Sequence, residues 1–328
     1  MINLSTTYLG LKLPSPVIVG SCGLTKSLKA LQACEAAGAG AVVLKSIFEE
    51  QILAEAEGQV PDEEGGLFHS EAYEYLQEYG EENALAASLS LIREAKRCLK
   101  IPVIASVNCR TSNRWEEFIH RLEKAGADAI ELNINLLSSD ARLAGPELEA
   151  RYEELLAQVR ETATVPVALK LGYHFSALAA FLFRLSHSGP KGLVLFNRPF
   201  FPDFDVEKLE LTTGRYLSSP TEYQMPLRWI SLTSGRLGCD VCAATGIHSG
   251  ETAVKLILAG AHAVQVVSVL YEHGIESIGR MNEEIRLWMQ RHDCQRIEDF
   301  RGRLRQVDSP NPAAYERVQF MRHTAGIE

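Results

Sequence analysis

The side chains best suited to chemistry stand at the ends of short apolar runs. Two are lysines, Lys45 and Lys170, and a lysine beside a buried strand is costly unless an anion pairs with it. The other run ends contribute backbone amides, hydroxyls and carboxamides at Gly20, Ser21, Ser46, Asn108, Asn133, Asn197, Thr245, Gly246, Val267 and Ser268. Asparagine offers both a donor and an acceptor, which suits the edge of a uracil-like ring. The pattern therefore indicates a site for a polar ring, although Lys45 alone is equally consistent with a solvated rim residue.

An internal repeat indicates how these residues are positioned. Ala36–Leu44, Ala125–Leu132 and Ala259–Val266 share an alanine- and glycine-rich turn followed by an apolar run, and Ser188–Leu195 is a looser copy. Each copy predicts a helix that ends at a glycine and a buried strand that follows it. The predicted strands are Val17–Ser21, Ala41–Ser46, Val103–Val107, Ala129–Ile134, Val167–Leu171, Leu193–Asn197, Val241–Thr245 and Ala263–Ser268. The clearest predicted helices are Asn113–Lys124, Glu147–Thr162, Ser249–Ala259 and Ser277–Gln290, with Ser249 as a helix cap.

Strands that alternate with helices predict a parallel sheet, and eight such units predict a (β/α)₈ TIM barrel forming a single domain over residues 1–328. The alternative, an open doubly wound sheet, requires a G-x-G-x-x-G fingerprint near the start, which the sequence lacks. In a barrel the strand ends meet on one face, and phosphate binds where strands seven and eight meet. Two insertions, Glu49–Ala72 and Arg198–Pro226, are predicted to lie over that face.

Composition excludes several classes of function. The 328-residue chain carries a net charge of −9, which argues against a nucleic-acid partner. Since no apolar run approaches the roughly 20 residues of a membrane span, and Met1–Tyr8 does not resemble a signal peptide, we expect a cytoplasmic protein without membrane contact. Of seven cysteines only Cys239 and Cys242 are closely spaced. We interpret them as buried thiols, with a redox pair or half a zinc site as the alternative, and expect no metal site.

Several motifs, in order along nearly the whole chain, resemble those of dihydroorotate dehydrogenases. The similar pairs are Pro16–Ser21 with N-P-x-x-x-A-S-G, Lys45-Ser46 with T-K-S, Glu131–Asn133 with E-L-N, Ala168–Leu171 with V-K-L, Ala244–Gly250 with G-T-G-G-I-x-x-G, Ala259–Val266 with A-G-A-x-x-V-Q-V and Phe300–Leu304 with F-x-G-x-L. Asn197 corresponds to the asparagine that closes strand six. The resemblance, to the class 1 type, implies an FMN-binding barrel that oxidises dihydroorotate to orotate in pyrimidine biosynthesis.

The resemblance also implies roles for individual residues. Lys170 would be a catalytic residue that stabilises the reduced flavin, while Lys45, Asn133 and Asn197 would contact the substrate. Thr245, Gly246 and Ser268 would hold the FMN phosphate. The remaining cofactor-binding candidates are Gly20, Ser21, Ser46, Asn108 and Val267. We expect a small-molecule substrate, an unidentified electron acceptor and a homodimer.

Two segments depart from the family pattern. Leu136 falls where the family has a Cys or Ser that removes the substrate proton, and leucine cannot accept a proton. Ser138, Ser139 or Asp140 could supply a substitute base, and Ser138 is our catalytic candidate. The family's Asn-rich loop after strand two has no counterpart between Glu49 and Ala87. The substrate is therefore either dihydroorotate or a different small molecule.

Two other classes of function remain open on the sequence. One is a non-redox barrel that binds FMN or another phosphate ligand. The other is a lyase in which Lys170 forms a Schiff base, which requires a neutral lysine.

Overall fold

The structure is a computed structural model, and it describes residues 2–48, 84–109, 115–134, 136, 140–199 and 201–316. Its strands are β1 (Thr6–Tyr8), β2 (Leu11–Leu13), β3 (Val17–Val19), β4 (Ala41–Val43), β5 (Ile47–Phe48), β6 (Val103–Cys109), β7 (Ala129–Ile134), β8 (Val167–Leu171), β9 (Gly192–Leu195), β10 (Pro202–Asp205), β11 (Glu210–Thr213), β12 (Asp240–Ala244) and β13 (Ala263–Val266). Its α-helices are α1 (Leu28–Ala36), α2 (Ala84–Cys98), α3 (Trp115–Ala125), α4 (Gly145–Thr162), α5 (Leu178–His187), α6 (Gln224–Thr233), α7 (Gly250–Leu258), α8 (Ser268–His273), α9 (Ser277–Arg291) and α10 (Ala313–Glu316).

Eight parallel strands close into a barrel with helices around it, which confirms the predicted (β/α)₈ fold. The strands follow the order β3, β4, β6, β7, β8, β9, β12 and β13, and β13 pairs back with β3. The short strand β5 extends the ladder along β6, where Ile47 is opposite Val107. Because all the barrel strands run in one direction, their carboxyl ends meet on a single face.

Most strands end earlier than the sequence predicts. Strands β7 and β8 match their predicted limits residue for residue, whereas β3, β9, β12 and β13 each end one or two residues early. The predicted strand Ala41–Ser46 is interrupted after Val43 and resumes at Ile47. The residues beyond these ends are mostly the polar candidates. Their side chains leave the regular ladder and can line a cleft, while some of their backbone amides, such as those of Gly20 and Asn197, still donate to a neighbouring strand.

The barrel interior follows the two-residue period of its strands. Inward-facing side chains such as Ile18, Val43 and Ile104 pack in one buried cluster. Their neighbours along the strands pack outward against the helices in a second cluster. At the amino-terminal end Tyr8 and Leu9, from the β1–β2 hairpin, close the barrel. Full burial of each such aliphatic side chain contributes about 1.5–3 kcal/mol.

The predicted start of helix α7 and one of the two insertions lie within the described residues. The backbone N–H of Thr252 donates to Ser249 Oγ over 3.2 Å, which confirms Ser249 as the cap. The insertion after β9 forms the antiparallel hairpin β10–β11. The insertion Glu49–Ala72 lies outside the described residues.

Cys242 is a free and buried thiol within β12, as predicted, whereas Cys239, just before the strand, is a free thiol that is only partly buried. Among the residues that the structure describes, no group of three or more His, Cys, Asp or Glu side chains is arranged to hold a metal ion. In the same part of the chain, no helix is long and apolar enough to cross a membrane.

Candidate active site

The carboxyl ends of the barrel strands open into a cleft with about 1220 Å³ of empty space, part of it open to solvent. Most of the residues predicted from the sequence line it, namely Ser21, Asn108, Asn133, Lys170, Asn197, Thr245, Gly246, Val267 and Ser268. They lie within or shortly after seven different barrel strands, and they meet because the strands are parallel. The cleft is the place where the sequence predicted a ligand site.

Ser46 does not itself line the cleft but supports a residue that does. It is buried, and its Oγ lies 2.9 Å from Ser21 Oγ and 2.8 Å from Ser106 Oγ. Its backbone N–H also donates to Ser21 Oγ over 2.9 Å. This chain of hydroxyls fixes Ser21 at the cleft wall.

Gly20 and Lys45 also lie outside the cleft lining. A Cβ on Gly20 would come within 2.9 Å of Val267 Cγ2, so this position is tightly packed. Burial raises the pKa of the cleft-lining Cys22 thiol, and the positive charge of Lys45 opposes that effect. Lys45 therefore lies close enough to act on the cleft electrostatically.

Lys170 is buried and belongs to a three-residue network beneath the cleft. Its Nζ donates to Gln265 Oε1 over 3.0 Å and lies 3.6 Å from Glu131 Oε1. Gln265 Nε2 in turn donates to Glu131 Oε2. The anion that a lysine at this place requires is thus a carboxylate of the chain itself.

The two loops after β12 and β13 meet a loop of the β9 insertion at one end of the cleft. Ser218 from that insertion donates both its backbone N–H and its Oγ to Ser268 Oγ, each over 2.9 Å. The backbone N–H of Gly246 points to Ser218 Oγ over 3.3 Å. Because Ser268 accepts both bonds, its own hydroxyl proton is left to donate elsewhere. Thr245 differs, since its hydroxyl donates to the carbonyl of Phe196 over 2.9 Å.

A histidine stands behind this cluster of hydroxyls. His248 Nε2 lies 3.4 Å from Ser218 Oγ, and His248 Nδ1 lies 3.3 Å from Glu272 Oε2. Burial lowers the pKa of His248, and the Glu272 carboxylate partly offsets that shift. Arg215, which lines the cleft, is 3.2 Å from Glu272 Oε1. The cluster therefore combines serine hydroxyls with the nearby imidazole of His248 and guanidinium of Arg215.

One polar atom at the cleft lacks a hydrogen-bond partner. Asn133 Oδ1 is buried, yet within the described part of the chain nothing donates to it. An acceptor left unpaired in a buried place costs about 1–3 kcal/mol. A ligand with an N–H or O–H group would remove that cost.

The segment after β7 holds the predicted base position. Leu136 packs partly buried against the apolar core, and its backbone N–H donates to Tyr152 Oη over 3.1 Å. Asp140 is exposed and pairs with Arg142, with the Arg142 Nε 3.0 Å from Asp140 Oδ1. Ser138 and Ser139 lie outside the described residues, so the assignment of Ser138 as a base stays a prediction.

The sequence analysis did not assign a role to Glu131, Gln265, Ser218 or Cys22. Glu131 and Gln265 did carry a signal, because each interrupts an otherwise apolar, buried strand and so requires a polar partner. Ser218 had no such signal, since it lies in a long loop whose path the local sequence does not determine.

The fold and site define a (β/α)₈ barrel enzyme with a polar cleft over a buried lysine. The family model for dihydroorotate dehydrogenase matches residues 3–289, and the chain belongs to the dihydroorotate dehydrogenase family. It is accordingly a flavin oxidoreductase of the kind that acts on CH–CH groups.

The chain matches several named proteins over almost their full length. A protein of Aeropyrum pernix, provisionally named dihydroorotate dehydrogenase A (fumarate), is 28% identical over 315 residues, spanning 92% of this chain and 97% of that protein. The catalytic subunit of dihydroorotate dehydrogenase B (NAD(+)) of Thermoplasma volcanium is 26% identical over 318 residues, 92% of this chain and 98% of that subunit. The corresponding subunit of Thermoplasma acidophilum is 26% identical over 323 residues, 92% of this chain and 99% of that subunit.

Proposed function

We propose that the chain is an FMN-dependent oxidoreductase that acts on a small planar carbonyl or pyrimidine-type substrate. The observation that carries the proposal is the cleft itself, with the buried ammonium of Lys170 on its floor and a cluster of hydroxyl donors at one end. This arrangement suits a ligand with a polar ring and a phosphate. Membership of the family supports FMN as that ligand.

The residues present fit FMN. The hydroxyl of Ser268, whose proton is not used within the cluster, would donate to the phosphate, since anions prefer convergent N–H and O–H donors. Gly246 N–H would join it by exchanging its bond to Ser218 Oγ for one to the phosphate. The unpaired Asn133 Oδ1 would accept from the ring or from the substrate. Of the residues proposed for the phosphate, Thr245 would act through its backbone because its hydroxyl is bonded to Phe196.

When bound, FMN would supply hydride-acceptor chemistry, which no amino-acid side chain provides. The contribution of the chain is electrostatic and steric. Lys170 places a positive charge on the cleft floor, where it stabilises negative charge that develops above it. The cleft walls, with Asn108, Asn133 and Asn197, orient a small planar substrate by hydrogen bonds.

The proton of the substrate needs an acceptor, and Leu136 cannot be one. Ser138 remains our proposed base, with Ser139 and Asp140 as substitutes. Without a base, removal of a C–H proton loses about 10²–10⁴-fold in rate. This departure is the reason that we propose dihydroorotate and a different small molecule as equal candidates.

The experiment is anaerobic flavin reduction. Purified protein is expected to be yellow, to release FMN rather than FAD on denaturation, and to bleach with one member of a substrate panel that includes dihydroorotate. Fumarate and NAD(+), which appear in the relatives' names, are then tested as acceptors that restore the colour. Colourless protein that FMN does not stabilise against heat would refute FMN binding. Yellow protein that no panel member bleaches would favour a non-redox barrel.

The Schiff-base alternative is less well supported. A lysine nucleophile needs a free amine, whereas Lys170 Nζ donates to Gln265 Oε1 over 3.0 Å and lies 3.6 Å from the Glu131 carboxylate. Borohydride added with the substrate panel is expected to leave the mass of the protein unchanged. A stable adduct on Lys170 would overturn this assignment.

We also propose a single-domain, cytoplasmic homodimer. The hairpin β10–β11 and its turn support the dimer, because Phe204, Leu209 and Leu211 are 69%, 88% and 65% exposed. Clustered exposed apolar side chains mark interaction surfaces. Size-exclusion chromatography with light scattering is expected to give twice the chain mass, and Phe204→Asp is expected to reduce it. A wild-type monomer would refute the homodimer.

A further inference from the structure

Glu131 is a buried acid to which the proposed function assigns no role. It is 1% exposed on β7, two positions before Asn133. Its side chain faces the barrel interior, as does that of Lys170 on the neighbouring strand β8. Gln265 reaches both residues from β13, which lies across the barrel. The three side chains form a closed network directly under the cleft.

The network couples a negative charge to the lysine on the cleft floor. Glu131 Oε1 is 3.6 Å from Lys170 Nζ, and in the described part of the chain this oxygen has no hydrogen-bond partner. Glu131 Oε2 accepts from Gln265, whose Oε1 accepts from Lys170 over 3.0 Å. The carboxamide therefore fixes the distance between the two charges.

Stability alone is a weak reason for such a pair. Replacing a buried ion pair with apolar residues of similar volume is often neutral or stabilising. The reason is that desolvating the two charges costs nearly as much free energy as their attraction contributes. The pair of Lys170 and Glu131 lies instead where its charges act on a bound ligand, since Lys170 and Gln265 both line the cleft.

We propose that Glu131 sets the reduction potential of the bound flavin by cancelling part of the positive charge of Lys170. The inference rests on the proposed function, because it requires FMN above Lys170. Reduction adds negative charge to the flavin, so a cation below it favours the reduced form and an anion below it favours the oxidised form. Glu131 acts on the flavin through Lys170 and lowers its potential, while Gln265 holds the ammonium in place.

The test is the midpoint potential of FMN in reconstituted Glu131→Gln and Glu131→Asp proteins, measured against reference dyes. Glu131→Gln removes the charge and is expected to raise the affinity for reduced over oxidised FMN about tenfold, a rise of roughly 30 mV for a two-electron couple. Glu131→Asp keeps the negative charge but places it farther from Lys170, so a smaller rise of the midpoint potential is expected. The matched control is Glu149→Gln, which removes another buried carboxylate, one that is paired with Arg184 on the outside of the barrel. Its potential is expected to equal that of the wild type.

The outcomes separate this inference from the proposed function. Flavin-loaded Glu131 variants whose potential is unchanged or lowered overturn the inference and leave the proposed function intact. Wild-type protein that binds no FMN overturns both. If Glu131→Gln does not fold, Glu131→Asp decides alone, and a potential equal to that of the Glu149→Gln control overturns the inference.

Discussion

Replacing Lys170 with methionine would leave the Glu131 carboxylate buried beneath the cleft without its cation. Their side chains are 11% and 1% exposed, and Lys170 Nζ lies 3.6 Å from Glu131 Oε1. At an effective dielectric constant of about 20, two unit charges at that separation attract by about 5 kcal/mol. Methionine retains most of the lysine's volume, so the lost charge dominates the effect.

Removing one partner of a buried ion pair leaves an uncompensated buried charge, which typically costs about 3–5 kcal/mol. We expect Lys170→Met to lose about 3–4 kcal/mol of unfolding free energy at pH 7.

The assay is urea unfolding of the FMN-free protein followed by circular dichroism, with each variant compared with wild type at the same pH. The double variant Glu131→Gln, Lys170→Met removes both charges and is expected to lie within about 1 kcal/mol of wild type. Arg286→Met, which breaks the exposed pair with Glu283, is the control and is expected to cost less than about 1 kcal/mol. A loss below about 1 kcal/mol for Lys170→Met, or an equal loss in the double variant, would refute the reasoning.

Three further predictions concern the loop after β12, the base of the barrel and the proton acceptor. In Gly246→Ala the new Cβ would lie 2.1 Å from Tyr223 N, and residue 246 has a φ of +74°, so the loop must shift. We expect the affinity for FMN to fall by about tenfold or more in a fluorescence titration. An affinity equal to that of the wild type would contradict this prediction. Burial lowers the pKa of His262, whose Nδ1 accepts from the N–H of Val241. Below about pH 6.5 the unfolded chain therefore binds the proton before the folded chain does, and stability falls as the pH falls. His262→Gln is expected to flatten this dependence in urea unfolding between pH 7 and 5.5, and an equally steep loss of stability in both proteins would count against it. Dihydroorotate is expected to bleach the wild-type flavin slowly, with a small gain at most in Leu136→Cys. Rapid wild-type bleaching in a stopped-flow experiment would show either that Leu136 does not stand at the base position or that Ser138, Ser139 or Asp140 supplies the base.

The amino-acid sequence was sufficient for the barrel, and most of the site residues that it predicted do line the cleft. Helix-ending glycines, apolar strands and caps such as Ser249 are local signals, because each depends on residues within a few positions. The carboxyl ends of parallel strands must converge, so Asn133, Lys170 and Ser268 could be assigned to one face without any coordinates. Their convergence follows from topology alone.

Partnerships across the barrel were decided only by the tertiary structure. Gln265 meets Lys170 and Glu131 from 95 and 134 positions away. Which inward side chains touch depends on the stagger of strands around the closed barrel, and no local pattern encodes that stagger. Ser218 likewise reaches Ser268 only because a long insertion folds back over the strand ends. The sequence determined which strand ends converge on the cleft, and closure of the barrel determined which of their side chains pair with one another.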